Sequence, residues 1–311
     1  MIENEKANPL VSVIINCYNG ERYLKQAIDS IFNQTYKNWE LIFWDNCSTD
    51  RSAAVAKSYG CRVSYYKSTR NTTLGEARTE AIRKVKGKYI TFLDCDDIWL
   101  ENKLELQVDF MIKNPEFILC YGSVQEITLE GQVFRDVLTK HESGFLLREL
   151  LVQYDISILT SMINRALLIE ANLNFDPHVS ASEEYCLFMQ LACLYKIGVL
   201  KEKLALYRVF EDSLTSKSLN VLGLERRYTL NKILSNKPSL NLKYKNEFKE
   251  AFARASYYDA RWEIYNGNKF KAMRLMSSIA LINYRYFLLF IISIFPICFW
   301  NKLHILLRNR R

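Results

Sequence analysis

Apolar and polar positions alternate in blocks along the first third of the chain, and the blocks recur in one order. Short apolar runs at 10–15, 39–44, 63–66 and 89–93 are rich in β-branched or aromatic residues, which predicts strands. Between them, apolar residues of 21–34 and 76–86 recur every three or four positions, which predicts amphipathic helices. Gly87 stands where a C-terminal helix cap is expected.

This alternation of strand and helix predicts an α/β fold with a Rossmann-like, open, mostly parallel sheet flanked by helices. Beyond residue 120 the pattern loosens, and residues 216–283 have the pattern of a helical C-terminal extension with a break at 236–239. We therefore predict a first domain over 1–215, a helical extension over 216–283 and a separate tail over 284–311.

The net charge of +8 belongs to the end of the chain. After Glu263 there are eight basic residues and no Asp or Glu, while the preceding sequence is balanced. A nucleic-acid-binding protein would more often carry a basic stripe on its folded domain, so no nucleic-acid partner is expected. Here the excess coincides with the most apolar segment, which favours contact with a membrane surface.

The tail contains an uncharged stretch at 286–300, interrupted by Pro296. It is shorter than the roughly 20 residues that a bilayer-spanning helix needs. It predicts an interfacial or re-entrant anchor, with a buried core helix or a dimer contact as the alternative. The first ten residues hold no apolar run and the eight cysteines have no metal-finger spacing. We expect a cytoplasmic protein, peripheral to the inner face of the plasma membrane.

Polar clusters follow three of the predicted strands, at 16–20, 45–50 and 94–97. In open α/β sheets ligands bind outside the carboxyl ends of the strands, so these clusters are expected to converge on one rim. Two further candidates are Arg78, early in its helix, and the helix-opening pair Glu183–Glu184. An exposed arginine and a favourable placement on the helix dipole are the alternatives for these two.

The third cluster places Asp94, Asp96 and Asp97 within four positions, as a D-x-D motif with one further carboxylate. Like charges this close repel unless a cation or ordered donors neutralise them. Mg²⁺ or Mn²⁺ commonly binds one or two carboxylates together with substrate phosphates. The alternative is a solvated loop or an acidic helix start.

Taken together over roughly residues 10–215, these segments resemble glycosyltransferase family 2, whose members share the GT-A fold. The segments that carry the resemblance are 11–20, 30–36, 44–50, 75–78, 94–97 and 183–185, in the order and spacing of the family.

The resemblance implies that Asp96 and Asp94 hold a divalent metal, Mn²⁺ or Mg²⁺, on the diphosphate of a nucleotide-sugar donor. It implies further donor-binding residues: Asn16, Tyr18, Asn19, Asp45, Asn46, Arg78 and Asp94. Glu184, with Glu183 as the second choice, would be the catalytic base of an inverting transfer. Two positions depart from the family: Asn46 stands where many relatives have Asp, and Phe210 where many have a metal-linked His.

The function expected from the resemblance and the tail is transfer of a sugar to a glycan or lipid-linked acceptor in surface polysaccharide synthesis (lipopolysaccharide, capsule or O-antigen). The alternative is a catalytically silent nucleotide-sugar-binding scaffold subunit of a glycan assembly complex. A dinucleotide-dependent enzyme or a nucleotidyltransferase lacks support, because no G-x-G-x-x-G follows the first strand and no P-loop is present.

Overall fold

The computed structural model describes residues 8–210 and 218–295, and the chain divides into two compact units, Met1–Glu211 and Asp212–Arg311. The predicted domain boundary at residue 215 falls between the two described ranges and stays a prediction.

The first unit is built on a nine-stranded sheet whose first four strands are parallel, in the order β3-β2-β1-β4. They are β1 (Val11–Cys17), β2 (Trp39–Asp45), β3 (Val63–Lys67) and β4 (Tyr89–Asp94). All seven residues of β1 are buried, as expected of a central strand covered on both faces. The predicted α/β fold with an open sheet is confirmed.

The remaining strands extend the sheet beyond β4 with mixed directions, in the order β8-β6-β9-β5, with β7 paired to β6. They are β5 (Ile98–Trp99), β6 (Phe117–Ile127), β7 (Val133–Val137), β8 (Met162–Asn164) and β9 (Lys196–Arg208). β8 runs antiparallel to β4 and to β6, while β6 and β9 are parallel.

Seven helices accompany the described part of this sheet: α1 (Glu21–Phe32), α2 (Ser52–Lys57), α3 (Leu74–Ile82), α4 (Lys103–Lys113), α5 (Leu147–Val152), α6 (Arg165–Glu170) and α7 (Glu183–Ala192). On α1, the predicted apolar face is the buried one, with Leu24, Ile28 and Ile31 in the main core cluster.

The prediction that Gly87 caps α3 is wrong. The helix ends at Ile82, and Gly87 lies against β1, where its N–H donates to the Ser12 hydroxyl (2.8 Å). A Cβ at this position would lie 2.6 Å from the Ser12 nitrogen. Close approach of two backbone segments therefore explains this glycine.

The second unit is helical over its described residues, which confirms the prediction for that part of 216–283. Its helices are α8 (Leu219–Asn236), α9 (Ser239–Lys243), α10 (Lys245–Tyr265), α11 (Lys269–Ile279) and α12 (Tyr284–Ile294). α12 begins the predicted tail, whose residues 296–311 lie outside the described ranges. Among the described helices, none combines the length and apolarity needed to cross a bilayer.

Candidate active site

The polar segments predicted to converge do lie side by side, at the carboxyl ends of β1, β2 and β4. The strand register pairs Asn16 with Trp44 on one side and with Asp94 on the other. The N–H of Asn46 donates to the carbonyl of Cys17 (2.8 Å), which extends the pairing beyond the strand ends. The three segments therefore form one continuous rim.

The loop after β1 is held by the loop after β2. Asn19 adopts a left-handed backbone conformation (φ 54°), which asparagine tolerates better than most residues. Its N–H donates to the Ser48 hydroxyl (3.1 Å), and its side-chain oxygen accepts the N–H of Thr49 (2.9 Å). Tyr18, beside it, is 52% exposed, which leaves its ring open to a flat ligand.

Asn16 carries an unsatisfied polar atom at this rim. Its side chain is buried, and its Nδ2 has no hydrogen-bond partner among the described residues. Buried polar groups are nearly always paired in folded proteins, so an unpaired donor at a ligand-binding rim is a candidate contact for a ligand.

Asp45 is fully buried beneath the rim. One carboxylate oxygen accepts the Ser48 N–H (2.7 Å) and the other accepts the Tyr65 hydroxyl (2.5 Å). Both oxygens are thus used inside the protein. These contacts support the loop after β2, and contact of Asp45 with a nucleoside base stays a prediction.

Asn46 links the same loop to the segment that precedes α3. Its side-chain amide donates to the carbonyl of Thr72 (2.9 Å), and its side-chain oxygen accepts the Thr72 hydroxyl (2.9 Å). Like Asp45, it is buried and serves to hold the rim together.

Arg78 lies in the interior, at 2% exposure, between two carboxylates. Its Nη2 donates to Asp94 (3.0 Å) and its Nη1 to Glu183. The exposed arginine, which was the alternative, is wrong, because the guanidinium is buried and joins the end of β4 to the start of α7. Its position beside the donor phosphates stays a prediction.

Glu183 and Glu184, the two candidates for a catalytic base, differ in accessibility. Glu183 is buried; burial and the adjacent Glu184 carboxylate raise its pKa, while the Arg78 guanidinium opposes that shift and favours the charged form. Gly75 of α3 packs on it so closely that an added Cβ would lie 3.2 Å from the Glu183 Cβ. Glu184 is partly exposed and is the better placed of the two to meet an acceptor.

The acidic cluster divides into three different environments. Asp94 accepts from Arg78, and Asp97 is buried with its oxygen accepting the Arg208 N–H (2.7 Å). Asp96 is half-buried, and among the described residues no other one donates a hydrogen bond to its carboxylate. Burial and the Asp94 charge raise the pKa of Asp96 to about 6.

Arg208 is a structural residue of the site that the sequence did not reveal. Its Nε donates to the carbonyl of Asp96 (2.9 Å), its Nη2 to Gln26 (2.8 Å), and its guanidinium stacks over the Tyr23 ring at 4.2 Å. It thereby holds the turn that carries the acidic cluster. No local pattern marks it, since it is one arginine at the end of a strand.

Within the described ranges, no group of three or more His, Cys, Asp or Glu side chains could hold a metal ion. Phe210, at the position where many relatives have a histidine, packs its ring edge-on against Tyr23 (5.8 Å between centroids). The residues present fit a cation that takes one or two carboxylates and completes its shell with phosphates and water. Asp96 is half-buried beside Asp94, and its carboxylate is the one that can still accept a metal ion, because no other described residue donates to it.

The fold and this rim define the GT-A class of transferase domain. The family model "Glycosyl transferase family 2" matches residues 12–164. An uncharacterized glycosyltransferase of Methanocaldococcus jannaschii is 30% identical over 211 residues, which cover 66% of this chain and 72% of the relative. The chain belongs to glycosyltransferase family 2, which confirms the resemblance.

Among other relatives, the UDP-Glc:alpha-D-GlcNAc-diphosphoundecaprenol beta-1,3-glucosyltransferase WfgD of Escherichia coli is 34% identical over 160 residues, covering 51% of this chain and 62% of the relative. The chain spans about a third of the length of several Rickettsia relatives that it matches.

Solved structures agree in fold. Staphylococcus aureus TarS 1–349 in complex with UDP-GlcNAc has a TM-score of 0.66 at 17% identity, covering 89% of this chain and 82% of that one. The mannosyltransferase PcManGT of Pyrobaculum calidifontis, in complex with GDP-Man and Mn²⁺, has a TM-score of 0.61 at 14% identity, covering 89% and 76%.

Proposed function

We propose that this chain is an inverting glycosyltransferase that moves a sugar from a nucleoside-diphosphate donor to a hydroxyl of a glycan or lipid-linked acceptor. The observation that carries the proposal is the contact of Arg78 with both Asp94 and Glu183. Because Glu183 directly precedes Glu184, one guanidinium connects the acidic cluster to the candidate base. The groups for the donor and for the acceptor are thus fixed relative to each other.

For the nucleotide-sugar, the rim offers the aromatic ring of Tyr18 and the side-chain N–H of Asn16. Exposed Tyr18 would stack on the nucleoside base, and the unpaired amide of Asn16 would donate to the nucleotide. Asn19, Asp45 and Asn46 keep the two loops in place through their hydrogen bonds. A mutation in this second group would therefore weaken donor binding through the loop geometry.

On the acceptor side, Glu184 would accept the proton of the acceptor hydroxyl as its oxygen attacks the anomeric carbon, opposite the departing diphosphate. Such an attack inverts the anomeric configuration. The buried pair of Arg78 and Glu183 holds the start of α7, and with it Glu184.

Asp96, with Asp94 beside it, would hold a divalent cation, Mn²⁺ or Mg²⁺, which would stabilise the charge of the departing diphosphate. The raised pKa of Asp96 and the absence of another described donor to its carboxylate support this assignment. So does the Mn²⁺ bound in the Pyrobaculum structure of the same fold.

We assign the acceptor to a lipid-linked glycan and the pathway to surface polysaccharide synthesis. Support comes from the name of the E. coli relative, whose acceptor is a diphosphoundecaprenol-linked sugar. Such acceptors lie in a membrane, so the enzyme would work at its inner face, where nucleotide-sugars are available.

A donor screen tests the proposal. The purified chain is incubated with a panel of nucleotide-sugars, Mn²⁺ or Mg²⁺, and lipid extract as acceptor, and release of nucleoside diphosphate is followed. We expect turnover with one donor and inverted anomeric configuration in the product. Glu184→Gln should lower kcat at least about 100-fold with donor affinity nearly unchanged, since general-base catalysis contributes about 10²–10⁴-fold.

The matched control is Glu142→Gln, which removes a carboxylate that is 87% exposed and paired with Lys201 at the surface. Its turnover should equal that of the wild type. Donor binding without turnover across the whole panel would instead support the silent scaffold subunit. A retained anomeric configuration would contradict the inverting mechanism.

A further inference from the structure

Helix α12 carries an apolar face that is partly exposed within the described part of the chain. Along it, large apolar side chains recur at spacings of three and four positions, and each is between 36% and 68% exposed. This face, called here the α12 face, consists of Tyr284, Phe287, Leu288, Ile291 and Ile294. The spacing places all five on one stripe of the helix.

The opposite side of α12 is packed, which fixes the direction in which the α12 face points. Tyr286 and Leu289 are buried in a cluster with residues of α10 and α11. Asn283 caps the helix by accepting the Arg285 N–H (2.9 Å), and its amide donates to Glu250 of α10 (2.7 Å). Within the described residues, the buried side chains of α12 thus lie on the side opposite the α12 face.

The segment of the sequence that carries this face has charges of a single sign. From Tyr265 to Phe295 there are four basic residues and no acidic one. Lys271 is paired with Glu263 (2.5 Å), whereas Arg274 and Arg285 are exposed and form no ion pair with any described residue. Arg285 lies beside Tyr284 of the α12 face, with its Nε 3.3 Å from the Tyr284 hydroxyl, and Arg274 belongs to helix α11. Exposed apolar side chains with nearby cations suit an anionic lipid surface, because its acyl chains accept the apolar groups and its phosphates attract the cations.

The described length and the charge favour a lipid interface over two other arrangements. Eleven helical residues span about 16 Å, which is far less than the ~30 Å hydrocarbon core, so α12 fits the plane of the interface. A two-fold dimer through this face would bring the same patch against itself, and thus like charges together. A lipid surface requires neither a longer helix nor the approach of like charges.

We propose that the α12 face is a membrane-docking surface for anionic lipid, with its apolar stripe inserted at the headgroup boundary and Arg274 and Arg285 contacting lipid phosphates. The proposal goes beyond the transferase activity and stands on residues of the second unit alone.

Flotation with vesicles tests it. The full chain is mixed with vesicles of phosphatidylcholine, with or without phosphatidylglycerol, and the bound fraction is measured. Wild type should bind the anionic vesicles in preference. The combined variant Phe287→Ser, Leu288→Ser and Ile291→Ser should lower the partition coefficient at least about tenfold, because the inserted apolar area sets the affinity. Arg274→Gln with Arg285→Gln should reduce the preference for anionic vesicles.

The matched control is Leu224→Ser with Leu242→Ser, which removes exposed apolar side chains from α8 and α9. It should bind vesicles as the wild type does. Equal vesicle binding by wild type and the three-serine variant would overturn the proposal. So would a dimer, seen by light scattering, that the three-serine variant dissociates without any change in vesicle binding. Donor affinity, measured in parallel by calorimetry, separates a failure here from a failure of the proposed reaction.

Discussion

Arg78 and Glu183, 105 positions apart in the chain, form an ion pair in which both side chains are only 3% exposed. Asp94, the second partner of Arg78, is one-third exposed, at the edge of the rim. The guanidinium thus has one contact inside the protein and one at the surface where the donor is expected.

Arg78→Met should destabilise the protein strongly. Removing one partner of a buried ion pair leaves an uncompensated charge, which lowers the free energy of unfolding by about 3–5 kcal/mol. Urea unfolding measures the loss. Arg83→Met, which breaks the exposed pair with Glu80, is the control and should change stability by less than about 0.5 kcal/mol. If the two variants lowered the free energy of unfolding equally, the buried ion pair of Arg78 would contribute no more than an exposed one, and the prediction would be wrong.

Gly20→Ala should destabilise the rim by about 1–3 kcal/mol through overpacking. A Cβ at Gly20 would lie 2.6 Å from the Cys95 sulfur and 2.9 Å from the Cys17 sulfur. Adding Cys95→Ala should recover part of the loss, because the nearer sulfur is gone. A double-mutant cycle on unfolding free energies measures the coupling, and simple additivity would contradict this account.

Lys103 should make stability depend on pH. It is fully buried, with its ammonium 3.9 Å over the Trp99 ring and hydrogen-bonded to Thr91 and Gln107, and burial lowers its pKa to about 7. Between about pH 7 and its unfolded pKa of 10.5, the unfolded chain binds a proton that the folded protein has released. Stability contributed by this group therefore rises with pH across that window.

The comparison of wild type with Lys103→Met, by urea unfolding from pH 6 to 10, isolates this effect. The difference in unfolding free energy between the two proteins should change with pH in favour of the wild type. Lys113→Met, at an exposed lysine, should show no such trend. A pH-independent difference for Lys103→Met would contradict the prediction.

Arg208→Lys should raise the Mn²⁺ concentration needed for half-maximal activity. A lysine cannot donate at once to the Asp96 carbonyl, to the Leu129 carbonyl in the loop after β6 and to Gln26, so the turn that carries Asp96 would loosen. Titration of nucleoside-diphosphate release with Mn²⁺ measures the shift. Arg22→Lys is the control, because Arg22 also stacks on Tyr23 but contacts no part of the acidic turn.

Much of the fold was predictable because apolar periodicity is a local property. The strand from Val11, the helix from Glu21 and the helical second unit all follow from spacing alone. The convergence of the three polar clusters was predictable too, since parallel strands end at the same edge of a sheet. The family resemblance drew on the same local segments.

The partners of the polar side chains were decided only by the tertiary structure. Sequence allowed Arg78 to be exposed or beside a phosphate, and it treated Glu183 and Glu184 as near equals. Packing of α3 on α7 at Gly75 buried one glutamate against the arginine and left the other accessible. Arg208 and Asp97, 111 positions apart, met in the same way. Buried polar groups must find partners because water is excluded from the interior. Which groups meet depends on how distant segments pack, and a local sequence pattern does not contain this information.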